Sequence, residues 1–340
     1  MNVATLLIAL LLPWLGGYLW LGAFARRFSH SSVHPFTLLG YGLFLGYAGL
    51  QGIVLTYDKV TGGVAFLPIL ALITLFTGLG GLLYLKSPRY FSAIQAPSPV
   101  QSQNHFENIV LWLLVAWIAL HMVFTAIEIV HRPVFPWDAW LNWMSRAKAW
   151  FYSGQVFLMD SPIEWLIGSG DAPYNVTGNH YPTLVPIAAL WAATALGYWS
   201  ETLVNLPVLC CGIALGCALY GECREYGLAR FPAALAAYLL LSIPLVGTHL
   251  SLAGQADIWM TGFTGLGFAA LLHGIIRHKP VRTLLGLAMV AMSIATKMEG
   301  AVWFLAALLT LALARQTRIT LLAMLALVGL AALGWIMGIT

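Results

Sequence analysis

Side chains able to do acid–base or phosphate chemistry are scarce in this 340-residue chain, of which only 8% is Asp, Glu, Lys or Arg. They gather in three places. The largest is the segment from Glu128 to Glu201, which opens EIVHRPVFPWDAWLNWMSRAKAWFYSGQ and carries Asp138, Arg146, Lys148, His180 and Tyr181. The second is Asp257 in LAGQADIW, and the third is Lys297 with Glu299 in ATKMEG. A carboxylate within hydrogen-bond reach of a hydroxyl can act as general base, and fixed cations stabilise charge that develops on a phosphate. Each residue also has a plainer role open to it. Asp138 and Asp257 could be helix N-caps, Lys297 and Glu299 an interfacial ion pair, and His180 a surface histidine.

The elements that must position these groups are helices in a membrane. The chain is 60% hydrophobic, and its apolar runs recur near the ~20 residues needed to cross ~30 Å of hydrocarbon. Spans are predicted at 3–24, 36–56, 64–85, 108–127, 201–220, 231–247, 258–276, 282–296, 299–314 and 319–338. The first lacks a basic n-region and a small-residue cleavage pattern, so it reads as a retained helix. Eleven of the sixteen Lys and Arg fall in alternate connections, which the positive-inside rule makes cytoplasmic. The other connections hold nine of the twelve acids, including those of the 128–200 loop. That loop and the N-terminus are then outside the cytoplasm. The expectation is an all-α polytopic membrane protein of about ten transmembrane helices, with a large extracytoplasmic loop bearing interfacial helices. Its parts are an N-terminal three-helix region (1–85), a Pro-, Ser- and Gln-rich cytoplasmic linker (86–107) and a membrane core (108–340).

Within the outer loop, Pro136 and Asp138 read as a helix start. Trp140, Trp143, Met144, Ala147, Trp150 and Phe151 follow at helical spacing, as in an amphipathic helix at the headgroup level. The run 182–197 is apolar but short and opens on Pro182 and Pro186, so it is expected to be re-entrant or to lie along the outer interface. Cys210, Cys211, Cys217 and Cys223 lack CxxC spacing and histidine partners, and read as small core residues. NVT at 175–177 fits a glycosylation sequon. No GxxxxGK[ST], HExxH or GxGxxG is present, which disfavours a nucleotide-driven pump or a zinc protease. No basic and aromatic surface suggests nucleic acid.

PWDAW at 136–140 with KAW at 148–150, NHYPTLVP at 179–186, GQADIW at 254–259 and ATKMEG at 295–300 occur in that order. Together they resemble the motifs of GT-C-fold glycosyltransferases, the polytopic enzymes that use lipid-phosphate sugars. These include protein O-mannosyltransferases, the lipid A aminoarabinose transferase and the transferases of the bacterial lipopolysaccharide core. The likeness covers about 108–318. It implies a catalytic acid at Asp138 and a second at Asp257, with Arg146, Lys148 and Lys297 meeting the donor phosphate. His180, Tyr181 and Glu299 complete the expected substrate-binding set. Many relatives carry two adjacent acids where this chain has Asp138-Ala139, and Tyr-Pro-Pro where it has Tyr181-Pro182-Thr183. Relatives commonly continue with more helices, so a truncated or minimal form is one expectation.

The implied reaction transfers a sugar from a polyprenyl-phosphate donor to a hydroxyl on a glycan, lipid or protein acceptor, with inversion. The implied location is a bacterial inner (plasma) membrane with the site facing outward. No cofactor is implied with certainty, and a divalent metal is left open. Two alternatives are a transporter or flippase of lipid-linked sugars, using Asp257, Lys297 and Glu299 as a gate, and an inactive accessory subunit.

Overall fold

The computed structural model describes residues 3–28, 33–88 and 105–314. Among them the chain is helical, with no strand and one isolated bridge between Asp160 and Asn175. In lipid no water is available to satisfy the main chain, so the apolar runs form helices that close their own hydrogen bonds. The first four helices are α1 (Val3–Phe28), α2 (Pro35–Thr61), α3 (Phe66–Lys86) and α4 (His105–His131). Then come α5 (Met144–Ser153), α6 (Pro162–Leu166) and α7 (Leu184–Leu196). The second half holds α8 (Leu206–Glu225), α9 (Arg230–Leu241), α10 (Pro244–Ser251), α11 (Asp257–Thr261), α12 (Gly267–Ile276), α13 (Pro280–Met292) and α14 (Gly300–Leu313).

Among the described residues six helices are long and apolar enough to cross a membrane, or seven spans when α9 and α10, bent by 63°, are counted as one. The expected spans at 282–296 and 299–314 coincide with shorter apolar helices, Pro280–Ala295 and Gly300–Leu313. The tenth, 319–338, lies outside the described residues, as does most of the 86–107 linker. An integral membrane protein follows; a count of ten spans does not.

Packing begins with α1 against α2. The two backbones approach so closely that a Cβ on Gly46 would stand 1.9 Å from the Pro13 carbonyl oxygen, and one on Gly17 2.0 Å from that of Gly42. Lipid gives helices no hydrophobic reason to associate, and small residues of this kind allow the close contact that does. The three N-terminal helices pack against later ones. One apolar core runs through α1, α2, α3, α7 and α8, and Trp191 of α7 donates its indole N–H to the Ala9 carbonyl at 2.8 Å.

α7 is the centre of that core. At about 1.5 Å per residue its thirteen residues reach roughly 20 Å, short of a full crossing. Twelve of them are buried, so it does not lie along an interface against lipid. The helix expected at 138–152 also turns inward. Trp143 and Trp150 are 0% and 1% exposed, and only Trp137 and Trp140 of this cluster face outward. These two buried tryptophans therefore belong to the protein core and not to a headgroup belt.

Candidate functional site

Asp138 precedes a π-helical turn, Ala139–Trp143, closed by the Met144 N–H to the Ala139 carbonyl. A π turn places residues five apart above one another, and the side chains use this. Asp138 Oδ1 accepts from Asn142 Nδ2 and Oδ2 from Trp143 Nε1, both at 2.7 Å. The N-cap role expected for Asp138 is not what is found. Its backbone is already helical and its carboxylate makes no cap hydrogen bond. Instead it is held from two sides by buried donors. An ionised carboxylate has about four acceptor sites, so each oxygen keeps room for a further partner.

The NHYP segment packs on this turn. The Tyr181 ring stacks on Trp143, with centroids 5.2 Å apart and planes at 20°. A Cβ on Gly178 would collide with Tyr181 and with Asn142 Oδ1. Arg146, 3% exposed, points its guanidinium at the carbonyls of Tyr181 (2.6 Å) and Pro182 (3.2 Å). Burial pulls that guanidinium down to about 10, and it acts here as a brace on the Tyr-Pro turn. Thr183, the departure from Tyr-Pro-Pro, accepts from Gln51 Nε2 of α2 at 2.8 Å. The N-terminal helices thus reach the same turn.

The GQADIW segment is brought in by Gly254. Its φ of +101° is a conformation that L side chains rarely adopt, and a Cβ there would lie 3.1 Å from the Ala139 Cβ. A side chain at 254 would strain the backbone and push the two motifs apart. Three residues on, Asp257 is the first residue of α11 and not its N-cap, which is Ala256. Its Oδ1 accepts from Lys297 Nζ at 3.1 Å, and Glu299 lies 3.9 Å from the same ammonium. Burial pushes the Lys297 ammonium down. The hydrogen bond and charge of Asp257, then the charges of Glu299 and Asp138, more than reverse this, and the group sits above the ordinary lysine value. That Asp138 acts on Lys297 puts three motifs, more than 150 residues apart at their extremes, in one electrostatic neighbourhood.

Two expected site residues stand further out. Lys148 pairs with Glu201 at 2.5 Å on the surface, both nearly half exposed, and such pairs contribute little. His180 is exposed, with Nδ1 3.2 Å from Asn179 Oδ1 and its ring edge-on to Tyr181. Asp138 and Asp257 both have protein partners already. The first carboxylate is met by two N–H donors, and an ammonium already stands against the second.

Sequence reasoning missed a second polar cluster. Glu222 Oε1 accepts from Tyr41 Oη (2.9 Å) and Arg282 Nη1 (2.8 Å), while Oε2 faces His273 Nδ1 at 3.1 Å. Glu225 pairs with Arg282 through its other nitrogen, and also accepts from Thr37 and the His34 N–H. Glu222, Glu225 and His273 offer ligand atoms within 4.8 Å of one another, but Arg282 already joins both glutamates. With every carboxylate oxygen met, the cluster ties α2, α8, α12 and α13 together. Asp257 and His273 lie sixteen residues apart on one nearly continuous helix, on the order of 24 Å at 1.5 Å per residue. The two clusters are therefore at opposite ends of the bundle. The available signal was His273 itself, an ionisable residue inside a predicted span.

Against family models, curated proteins and solved structures, nothing matches the chain. The likeness to GT-C enzymes rests on the motifs alone.

Proposed function

We propose that the chain is a membrane glycosyltransferase that uses a polyprenyl-phosphate sugar on the extracytoplasmic face of a bacterial inner membrane. The observation that supports this most is the meeting of Asp138, Asp257, Lys297 and Tyr181 at one end of a membrane helix bundle. In this reading Asp138 takes the proton of an acceptor hydroxyl. The hydroxyl oxygen attacks the anomeric carbon, the carbon–oxygen bond to phosphate breaks, and polyprenyl phosphate leaves with the electron pair. A single displacement of this kind inverts the anomeric centre. Lys297 meets the departing phosphate, and Asp257 and Glu299 hold its ammonium in place. Asn142 and Trp143 orient the base, and Arg146 fixes the Tyr181-Pro182 turn beside it.

The transporter alternative, with Asp257, Lys297 and Glu299 as a gate, is favoured less, because these groups gather with Asp138 at one end of the bundle, and the buried cluster at the other end has each carboxylate oxygen paired within the protein. The test is incubation of the purified full chain with a panel of polyprenyl-phosphate sugars and hydroxyl acceptors, scoring released polyprenyl phosphate. Release that depends on Asp138 supports the transferase. Vesicle uptake or flipping of the same lipids without release points to the transporter.

A further inference from the structure

A groove of about 420 Å³ runs between α4, α8 and α9, far from Asp138. Its back wall is made of small side chains, Gly216 and Cys217 of α8 with Ala234 and Ala237 of α9, and its outer lip is α4 at Trp112 and Val115. α4 buries only Thr125 and Ile129, and Trp112 and Val115 are 69% and 39% exposed. The groove therefore opens sideways, toward the hydrocarbon.

One end differs from the rest. Arg230, the first residue of α9, lines the groove, is exposed, and has no ion pair or hydrogen bond from its side chain among the described residues. The residue before it, Ala229, has no side chain that can cap the helix, and with Pro232 third in α9 the N–H groups of Arg230 and Phe231 are the two left at this end without an intrahelical acceptor. Arg224, Arg277 and Lys279 lie at the same end of the bundle. An apolar slot with a guanidinium and open helix N–H groups at its mouth matches a molecule with a hydrocarbon tail and an anionic phosphate head.

We infer that this groove holds a glycerophospholipid of net negative headgroup charge, one acyl chain lying along α8 and α9 and its phosphate on Arg230. A zwitterionic lipid would bring a quaternary ammonium beside the Arg230 guanidinium, the one charged group lining the groove, and is disfavoured. The site is distinct from the proposed donor site, since it lies at the Glu225–Arg230 end of the bundle.

The test is native mass spectrometry of the full chain released from micelles containing equal phosphatidylglycerol and phosphatidylcholine of the same chain length. The expected result is one retained phosphatidylglycerol in clear preference. Arg230→Gln should lower that preference by roughly fivefold or more, the effect of one phosphate-facing cation. Val115→Trp places an indole in the mouth from a lipid-facing helix. It should abolish retention while helical circular dichroism and the thermal midpoint stay at parent values. Equal retention of both lipids by the parent, or an unchanged preference in Arg230→Gln, would overturn the assignment. So would unchanged retention in Val115→Trp, since the lipid would then sit elsewhere. None of these readings uses transfer activity, so they stand or fall apart from the transferase proposal.

Discussion

Asp138→Asn separates a chemical role from a structural one, because the geometry around it allows an unusually clean substitution. Asp138 accepts from Asn142 Nδ2 and Trp143 Nε1 at 2.7 Å each. An asparagine has one acceptor oxygen and one NH₂ donor, so it cannot receive both. It need not, because Asn142 Oδ1 is buried with no partner. If the Asn142 amide turns over, that oxygen accepts from the new NH₂, and Trp143 still donates to the new carbonyl. Two hydrogen bonds to a charged group, at ~1.5–3 kcal/mol each, become two neutral ones at ~0.5–1.5. The expected loss is about 2–3 kcal/mol, with no offset from the turned amide, since its Nδ2 then takes the unpartnered place of Oδ1, and the thermal midpoint in detergent should fall by less than in the alanine variant. Asp138→Ala leaves two buried donors without an acceptor and should lose ~2–6 kcal/mol. Transfer should behave differently. Loss of a positioned base removes ~10²–10⁴-fold, and asparagine and alanine should be equally inactive despite their unequal stabilities. The assay is release of polyprenyl phosphate at matched folded fraction. Parent-rate transfer by Asp138→Asn refutes the base assignment. If Asp257→Asn is dead at the same time, the base belongs to the other loop.

Arg282→Ala should be the most destabilising change at the opposite end, about 3–5 kcal/mol, because it leaves Glu222 and Glu225 buried and uncompensated. Thermal unfolding in detergent measures this, and a loss below ~1 kcal/mol would mean that water reaches the cluster. Lys297→Met should weaken donor binding far more than folding, read by competition with a non-hydrolysable polyprenyl phosphonate sugar; normal turnover would reduce Lys297 to an interfacial anchor. Because the Lys297 ammonium is held above its ordinary value, its stabilisation is complete below the unfolded lysine value of about 10.4 and fades as pH rises through the folded value. The stability gap between the parent and Lys297→Met should then be flat from neutral to mildly alkaline pH and close only beyond that. Single cysteines at Asp171 and Arg277, both exposed, in a background without the four native cysteines, should label from opposite faces of intact cells; labelling from one face contradicts the proposed topology and the outward site together.

The solvent of this protein was legible without any structure. Apolar runs of spanning length with so few charges cannot be covered by a soluble fold, and helix is the form such runs take where the main chain has no water to bond. The motifs were legible as well: Asp138, Tyr181, Asp257 and Lys297 were singled out by type and position, and they do come together. Their partners were not legible. Whether Asp138 caps a helix or is itself clamped depends on a π turn that brings Trp143 beneath it, and no local spacing rule distinguishes that turn from ordinary helix. Trp140 and Trp143 look alike in the sequence, yet one is half exposed and the other fully buried. Lipid and protein core are equally apolar, so hydrophobic periodicity cannot say which a tryptophan faces. The cluster of Tyr41, Glu222, Glu225, His273 and Arg282 drew on residues scattered over more than 200 positions. Electrostatic energy depends on distance in space and on local dielectric, and only the packing of α2, α8, α12 and α13 sets either one.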